Sequence, residues 1–130
     1  MPNKLQHFLY LSRLAAGEGP ATVTSILEVS RARNRERDLT GVLVFDGERF
    51  AQWLEGPPDQ VLALAARLEV DPRHVEMRVL HTGVRAAAER LATVWRAGYA
   101  EPADLDALEQ AGDASLACFL ALLPNFDLAA

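Results

Sequence analysis

Apolar positions recur along the chain at two spacings, and each change of spacing marks a new element. Leu5 to Ser12 is mostly apolar, carries Phe8 and Tyr10, and runs toward the breaker Gly17-Glu18-Gly19-Pro20, so it predicts a strand. Thr22 is a candidate N-cap, and Val23, Ile26, Leu27 and Ser30 then share one helical face. That helix is expected to fade into a charged loop, Arg33-Asn34-Arg35-Glu36-Arg37-Asp38. Thr40 to Phe45 predicts a second strand, Asp46-Gly47 a hairpin turn, and Arg49 to Glu55 the returning third strand. Gly56-Pro57-Pro58-Asp59 opens a second helix whose apolar face is Val61, Leu62, Ala65 and Leu68, and Asp71-Pro72 ends it. Glu76 to Leu80 predicts a fourth strand. Val84 to Leu91 fits either a short helix or an irregular crossover, and Val94 to Tyr99 a fifth strand. Pro102 to Glu109 and Asp113 to Leu122 predict two short helices on either side of Gly112.

The first six elements follow the order β-α-β-β-α-β, which is the ferredoxin-like pattern, an α+β sandwich. In that arrangement strands one and three are neighbours at the centre of the sheet, and two helices cover one face. The opposite face also needs cover, and the apolar C-terminal helices, with Leu116, Phe119, Leu120 and Leu123, are the candidates. Residues 1–100 are expected to form the main body, with 101–130 a C-terminal helical extension of the same domain.

One hundred and thirty residues suit one domain, and half of them are hydrophobic, which excludes wholesale disorder. Thirteen basic against eighteen acidic side chains give a net charge of −5, which argues against broad nucleic-acid binding. The single cysteine, Cys118, has no partner for a disulfide or a thiolate metal site, and a reducing cytoplasm is the expected compartment. No apolar run approaches the ~20 residues of a membrane span, and the first residues do not read as a signal peptide. The chain has no G-x-S-x-G, no H-E-x-x-H and no glycine-rich phosphate loop, so local motifs point to neither an enzyme nor a metal site.

The informative polar groups lie on apolar elements. On the third strand Phe50, Gln52 and Leu54 point one way, and Ala51, Trp53 and Glu55 the other. Gln52 is therefore an amide between two apolar side chains, and a buried amide needs partners at both ends. Phe8, Tyr10 and Ser12 share a face of the first strand, so Tyr10 and Gln52 can meet across the sheet. A purely structural Tyr–Gln hydrogen bond, or Gln52 at an exposed edge, is the plain alternative. Asn34 reads as a C-cap or turn residue. Arg67 and Asp71 are four apart and suit a solvated ion pair, close to Arg73 and His74. Trp53 and Trp95 read as packing residues.

Taken together, these segments resemble a known family. Phe8-Leu9-Tyr10-Leu11-Ser12, Ser30-Arg31-Ala32-Arg33-Asn34 and Leu39-Thr40-Gly41-Val42-Leu43 resemble the first half of a BLUF domain, a blue-light sensor that uses flavin. Phe50-Ala51-Gln52-Trp53-Leu54-Glu55-Gly56 resembles that family's most specific motif, F-x-Q-x-L-E-G. Asp71-Pro72-Arg73-His74 is similar to its D-x-R-H, and Trp95-Arg96-Ala97-Gly98-Tyr99 to its W-S-M-G-F. The resemblance runs in order from Leu5 to Ala100 and marks residues 1–100 as a flavin-binding domain.

The resemblance implies a single-domain photoreceptor of the short type, not an enzyme. It implies FAD as cofactor, with FMN and riboflavin as alternatives. Tyr10 would be the electron and proton donor to the photoexcited flavin, and Gln52 the amide that rotates or tautomerises between Tyr10 and the flavin ring. Asn34 would bond the polar edge of the ring, and Ile26, Ser30 and Phe50 would help form the pocket. Arg67, Asp71, Arg73 and His74 would serve the ribityl and phosphate end. Trp95 and Ala97 occupy the relay positions into the fifth strand. Ala97 stands where the family usually has Met, which leaves the output route open. Arg33 stands where many members have Asn or His. There its guanidinium would meet a flavin carbonyl or phosphate, or face solvent. With ~30 residues after Ala100, no attached effector domain is expected, since such domains usually need ~50. The signal would pass to an unidentified partner protein or through a homo-oligomer. A photochemically inactive ferredoxin-like ligand-binding or scaffold module is the alternative.

Overall fold

Strand side chains alternate between two faces, and here both faces are apolar, so the sheet must be covered twice. The computed structural model describes residues 4–129. Its elements are β1 (Lys4–Leu14), α1 (Pro20–Glu36), β2 (Thr40–Phe45), β3 (Arg49–Gly56), α2 (Pro58–Val70), β4 (His74–Ala86), β5 (Trp95–Tyr99), α3 (Pro102–Glu109), α4 (Ser115–Leu122) and β6 (Asp127–Ala129). The strands form one mixed sheet in the order β4-β1-β3-β2-β5-β6, with β1 beside β3 as the ferredoxin-like pattern requires. Only β2 and β5 run parallel; the other neighbours are antiparallel.

On one face Phe8, Leu43, Phe50 and Leu54 pack under Val23 of α1 and Val61 of α2. On the other, Leu9, Val42, Val44, Ala51 and Trp53 pack under Leu105 and Leu108 of α3 and Leu116 and Phe119 of α4. Trp53 and Phe119 meet edge to face, with ring centroids 6.4 Å apart. Each such buried side chain contributes about 1.5–3 kcal/mol, so the C-terminal helices share in the stability of the sheet.

Two local features fix the β2–β3 pairing. Asp46 Oδ1 accepts the backbone N–H groups of Glu48 at 2.9 Å and Arg49 at 2.6 Å, which closes the hairpin turn. Gly41 has φ +142°, and a Cβ there would lie 1.8 Å from the carbonyl oxygen of Trp53, so only glycine lets β2 approach β3 this closely.

Several boundaries differ from the sequence expectation. α1 does not fade at Arg33 but runs to Glu36, because its arginines occupy mostly outward positions while Asn34 turns inward. Asn34 is therefore a buried helical residue, not a cap. Gly19 is the N-cap, with Pro20 following, and Thr22 instead donates its hydroxyl to Glu18 Oε2 at 2.6 Å. On α2, Leu62 is exposed and Leu64 packs against the core in its place. β4 is much longer than predicted and takes up Val84 to Ala86, followed by a single 3-10 turn, Ala87–Glu89. Another 3-10 turn, Gly112–Ala114, delays the start of α4, and β6 had no predicted counterpart.

Candidate functional site

Three apolar-to-polar stripes meet over one end of the sheet. Ile26, Ser30 and Asn34 follow one another at four-residue spacing on α1, so they line a single face. Leu64, Arg67, Leu68 and Asp71, at i, i+3, i+4 and i+7, likewise share one face along α2 and its end. Tyr10, Phe50 and Gln52 rise between them from β1 and β3. All of these, with Arg73 and His74, line one cavity between α1 and α2. Every predicted flavin-contacting residue is therefore gathered in this cavity. Val29, Leu64 and Leu68 also line it and were not predicted; Val29 stands three residues after Ile26 on α1, and Leu64 and Leu68 lie one turn apart on α2. Arg33 lines it as well.

Tyr10 and Gln52 are direct register partners across β1 and β3. Both are buried, and Gln52 Nε2 donates to Tyr10 Oη at 3.4 Å. Burial pushes the Tyr10 phenol well above its ordinary pKa; the Gln52 hydrogen bond opposes that shift and the charge of Asp71 adds to it. Tyr10 therefore keeps its proton throughout the physiological range. Gln52 Oε1 and Asn34 Nδ2 are both buried without a partner among the described residues. An orphaned acceptor and an orphaned donor beside one cavity mark a place where a polar ligand edge is expected.

The far end of the cavity is charged. The Arg73 guanidinium grips Asp71 through Nε to Oδ1 at 3.0 Å and Nη2 to Oδ2 at 2.6 Å. This pairing holds the Asp71 carboxyl below the usual carboxylate range. It also replaces the expected Arg67–Asp71 pair, because the turn after α2 brings Arg73 back over Asp71. His74 Nε2 donates to the Leu68 carbonyl at 2.6 Å, and its ring lies 6.1 Å from that of Tyr10. Arg33 and Arg67, on the facing helices, make no ion pair among the described residues and are exposed at the mouth.

The relay positions lie apart. Trp95 and Ala97 belong to the buried cluster on the same face of the sheet but do not line the cavity. The register places Tyr10, Gln52, Leu43 and Ala97 in one row across β1, β3, β2 and β5, with Leu43 between Gln52 and Ala97.

The donor set fits a flavin. Its ring edge carries carbonyls and ring nitrogens that match Asn34 Nδ2 and Gln52, and its phosphates match the free guanidiniums. The interior of the cavity is narrow, ≈ 60 Å³.

Comparison with known proteins finds relatives and solved structures similar to this chain. The blue light- and temperature-regulated antirepressor BluF of Escherichia coli is 34% identical over 70 residues, which are 54% of this chain and 17% of that protein. The photoactivated adenylate cyclase subunit beta of Euglena gracilis is 32% identical over 72 residues, 55% of this chain and 8% of that one. The chain thus spans less than a fifth of the length of either relative. The dark-state structure of BlrB, a BLUF protein, superposes with a TM-score of 0.74 at 25% identity, covering 95% of this chain and 100% of that one. Residues 5–98 match the BLUF family, described as sensors of blue light using FAD. This match spans most of the sequence, and the chain belongs to the BLUF family of flavin-based blue-light sensors.

Proposed function

We propose that this chain holds FAD between α1 and α2 and reports blue light through the Tyr10–Gln52 pair. The observation that carries this reading is the buried Tyr10–Gln52 contact at 3.4 Å with Gln52 Oε1 left unpartnered beside the cavity. The bound flavin supplies the absorption of blue light and a site that takes up an electron and a proton.

The chain's own residues do the rest. Asn34 orients the polar edge of the ring through Nδ2. Ile26, Ser30 and Phe50 pack against it, and burial under α1 and α2 excludes water. Tyr10 would serve as the donor of one electron and its Oη proton and would take both back, leaving no net chemistry. Gln52 has two inequivalent ends, and exchanging them swaps an acceptor for a donor at the cavity. With Nε2 on Tyr10, Oε1 is the end left for the cavity. After exchange, Oε1 accepts from the Tyr10 hydroxyl and Nε2 becomes the donor to the ring. With flavin bound, Gln52 Nε2 would present that ring with a donor where Oε1 had presented an acceptor. Such an element has two states that light can repopulate.

Arg33 and Arg67, at the mouth of the cavity, would hold the phosphates, with Arg73 and His74 beside them. The signal leaves through a separate protein or a second copy of the chain, and the domain itself catalyses no reaction. No helix among the described residues is long and apolar enough to cross a membrane, and the reducing cytoplasm remains the proposed compartment.

The test is cofactor release. Protein purified with flavin supplied, then denatured, should yield FAD close to one per chain. A colourless protein that takes up neither FAD, FMN nor riboflavin would overturn the reading in favour of a scaffold module.

A further inference from the structure

One buried carboxylate has no part in the Tyr10–Gln52 pair. Glu55 lies on β3 three residues after Gln52, and strand alternation turns it to the opposite face, with Ala51 and Trp53. It is 0% exposed. Its Oε1 accepts the backbone N–H groups of Leu91 at 2.8 Å and Ala92 at 2.7 Å. Its Oε2 is buried with no partner among the described residues. The backbone carbonyl of Glu55 accepts Arg90 Nη2 at 3.4 Å, and Arg90 also reaches the Asp38 carbonyl at 2.9 Å.

Residues 90–92 belong to the connector between β4 and β5, which has no regular structure from the end of its 3-10 turn to Trp95. Apolar burial holds it only in part: Leu91 and Val94 are 48% and 54% exposed, while Ala92 packs against the cluster under α3 and α4. One backbone bond, from Gly41 N–H to the Val94 carbonyl at 3.1 Å, fixes its last residue. The Glu55 carboxylate therefore ties the backbone of Leu91 and Ala92 directly, beside the side-chain bonds of Arg90 to Asp38 and to the Glu55 carbonyl, on the stretch that leads into Trp95 and Ala97.

We propose that Glu55 is a positioning residue that couples β3 to this connector, and through it to β5. Gln52 and Glu55 share one strand, so a shift of β3 at Gln52 moves the carboxylate on the opposite face. The two connector amides follow, because charge-assisted hydrogen bonds to a buried carboxylate are strong. The unpartnered Oε2 offers those amides a second acceptor, which gives the connector two held positions on the same group. This route bypasses Ala97, whose methyl group is separated from Gln52 by Leu43. The proposal rests on Tyr10 and Gln52 being the light-driven pair.

Amide hydrogen exchange on the full chain with FAD bound tests it, in darkness and under blue light, with absorption recorded on the same samples. In darkness, Glu55→Gln should speed exchange at Leu91 and Ala92 by about tenfold, the size expected from weakening a buried hydrogen bond. Unchanged exchange would overturn the tie, whether or not the flavin responds. Under light, the wild-type chain should show a reversible change in protection over residues 90–94. Glu55→Gln should keep the absorption shift and lose that change. A merely structural Glu55 would raise exchange equally in both conditions and leave the light-dependent difference intact, which would overturn the coupling. Arg90→Ala leaves the Glu55 bonds in place and should retain the difference; its loss there would assign the coupling to Arg90 and contradict the proposal. A wild-type chain with no absorption shift would instead count against the photoreceptor reading.

Discussion

Asn34 and His7 show how much a single side chain depends on what surrounds it. Asn34 is hidden on a helix otherwise rich in arginine, with its Nδ2 unpartnered. If it donates to the flavin ring, Asn34→Ala should weaken FAD binding by about tenfold, one hydrogen bond's worth, as read by fluorescence titration. Affinity equal to the wild type would remove Asn34 from the site. His7, on the opposite face, is buried against His81 with ring centroids 4.7 Å apart. Burial, then the charges of His81 and Arg85, lower its pKa below 6.5. Between that lowered value and 6.5 the unfolded chain binds more protons than the folded one. The contribution of His7 to stability is therefore fully present above 6.5 and is lost as the pH falls through the folded pKa. Urea midpoints at several pH values should show this loss, and it should be smaller in His7→Gln. An identical slope in that variant would contradict the assignment.

Elements built on strict alternation were the legible ones. β2, the Asp46-Gly47 turn and β3 lie where the pattern puts them, because both faces of these strands are buried and the turn chemistry is local. Alternation groups Phe8, Tyr10 and Ser12 on one face of β1 and Phe50, Gln52 and Leu54 on one face of β3, but only the β1–β3 register shows that the two faces are the same. α1 was cut short because Arg33 to Glu36 looks like a loop when charge is read without period; on a helix those charges point outward and Asn34 points in. β4 was underestimated because it is an edge strand whose half-exposed residues follow no clean alternation. β6 is three residues long, and its pairing with β5 is a tertiary contact that no local pattern encodes. The Arg73–Asp71 pair was missed in favour of Arg67–Asp71 because helical spacing says nothing about a chain that turns back after the helix. That correction has a consequence for the facing helices. Arg67 stays free at the mouth, so Arg67→Ala should weaken FAD several-fold, about 1 kcal/mol for a partly exposed charge contact, and leave riboflavin unchanged. Equal losses for the two ligands would show that Arg67 does not meet the phosphates.

The whole molecule is a sheet with two covers that divide the work. α1 and α2 enclose the cavity, and α3 and α4 complete the core beneath it, so the C-terminal segment is integral to the fold. Phe119 is fully buried against Trp53 and Phe126. Phe119→Ala should cost about 3–5 kcal/mol in denaturant unfolding, the range for a core phenylalanine. A loss below 1 kcal/mol would mean that the C-terminal layer is only loosely docked. β3 runs between the two covers, with Gln52 on one of its faces and Glu55, bonded to Leu91 and Ala92, on the other. The central claim remains that a buried tyrosine and a reversible amide convert light into a changed hydrogen-bond pattern. A light-minus-dark absorption spectrum of the FAD-loaded chain tests it most directly. The wild type should show a small red shift that decays in darkness, and Tyr10→Phe and Gln52→Leu should bind FAD without that shift. A shift that persists in either variant, or FAD bound by the wild type with no shift at all, would contradict the account.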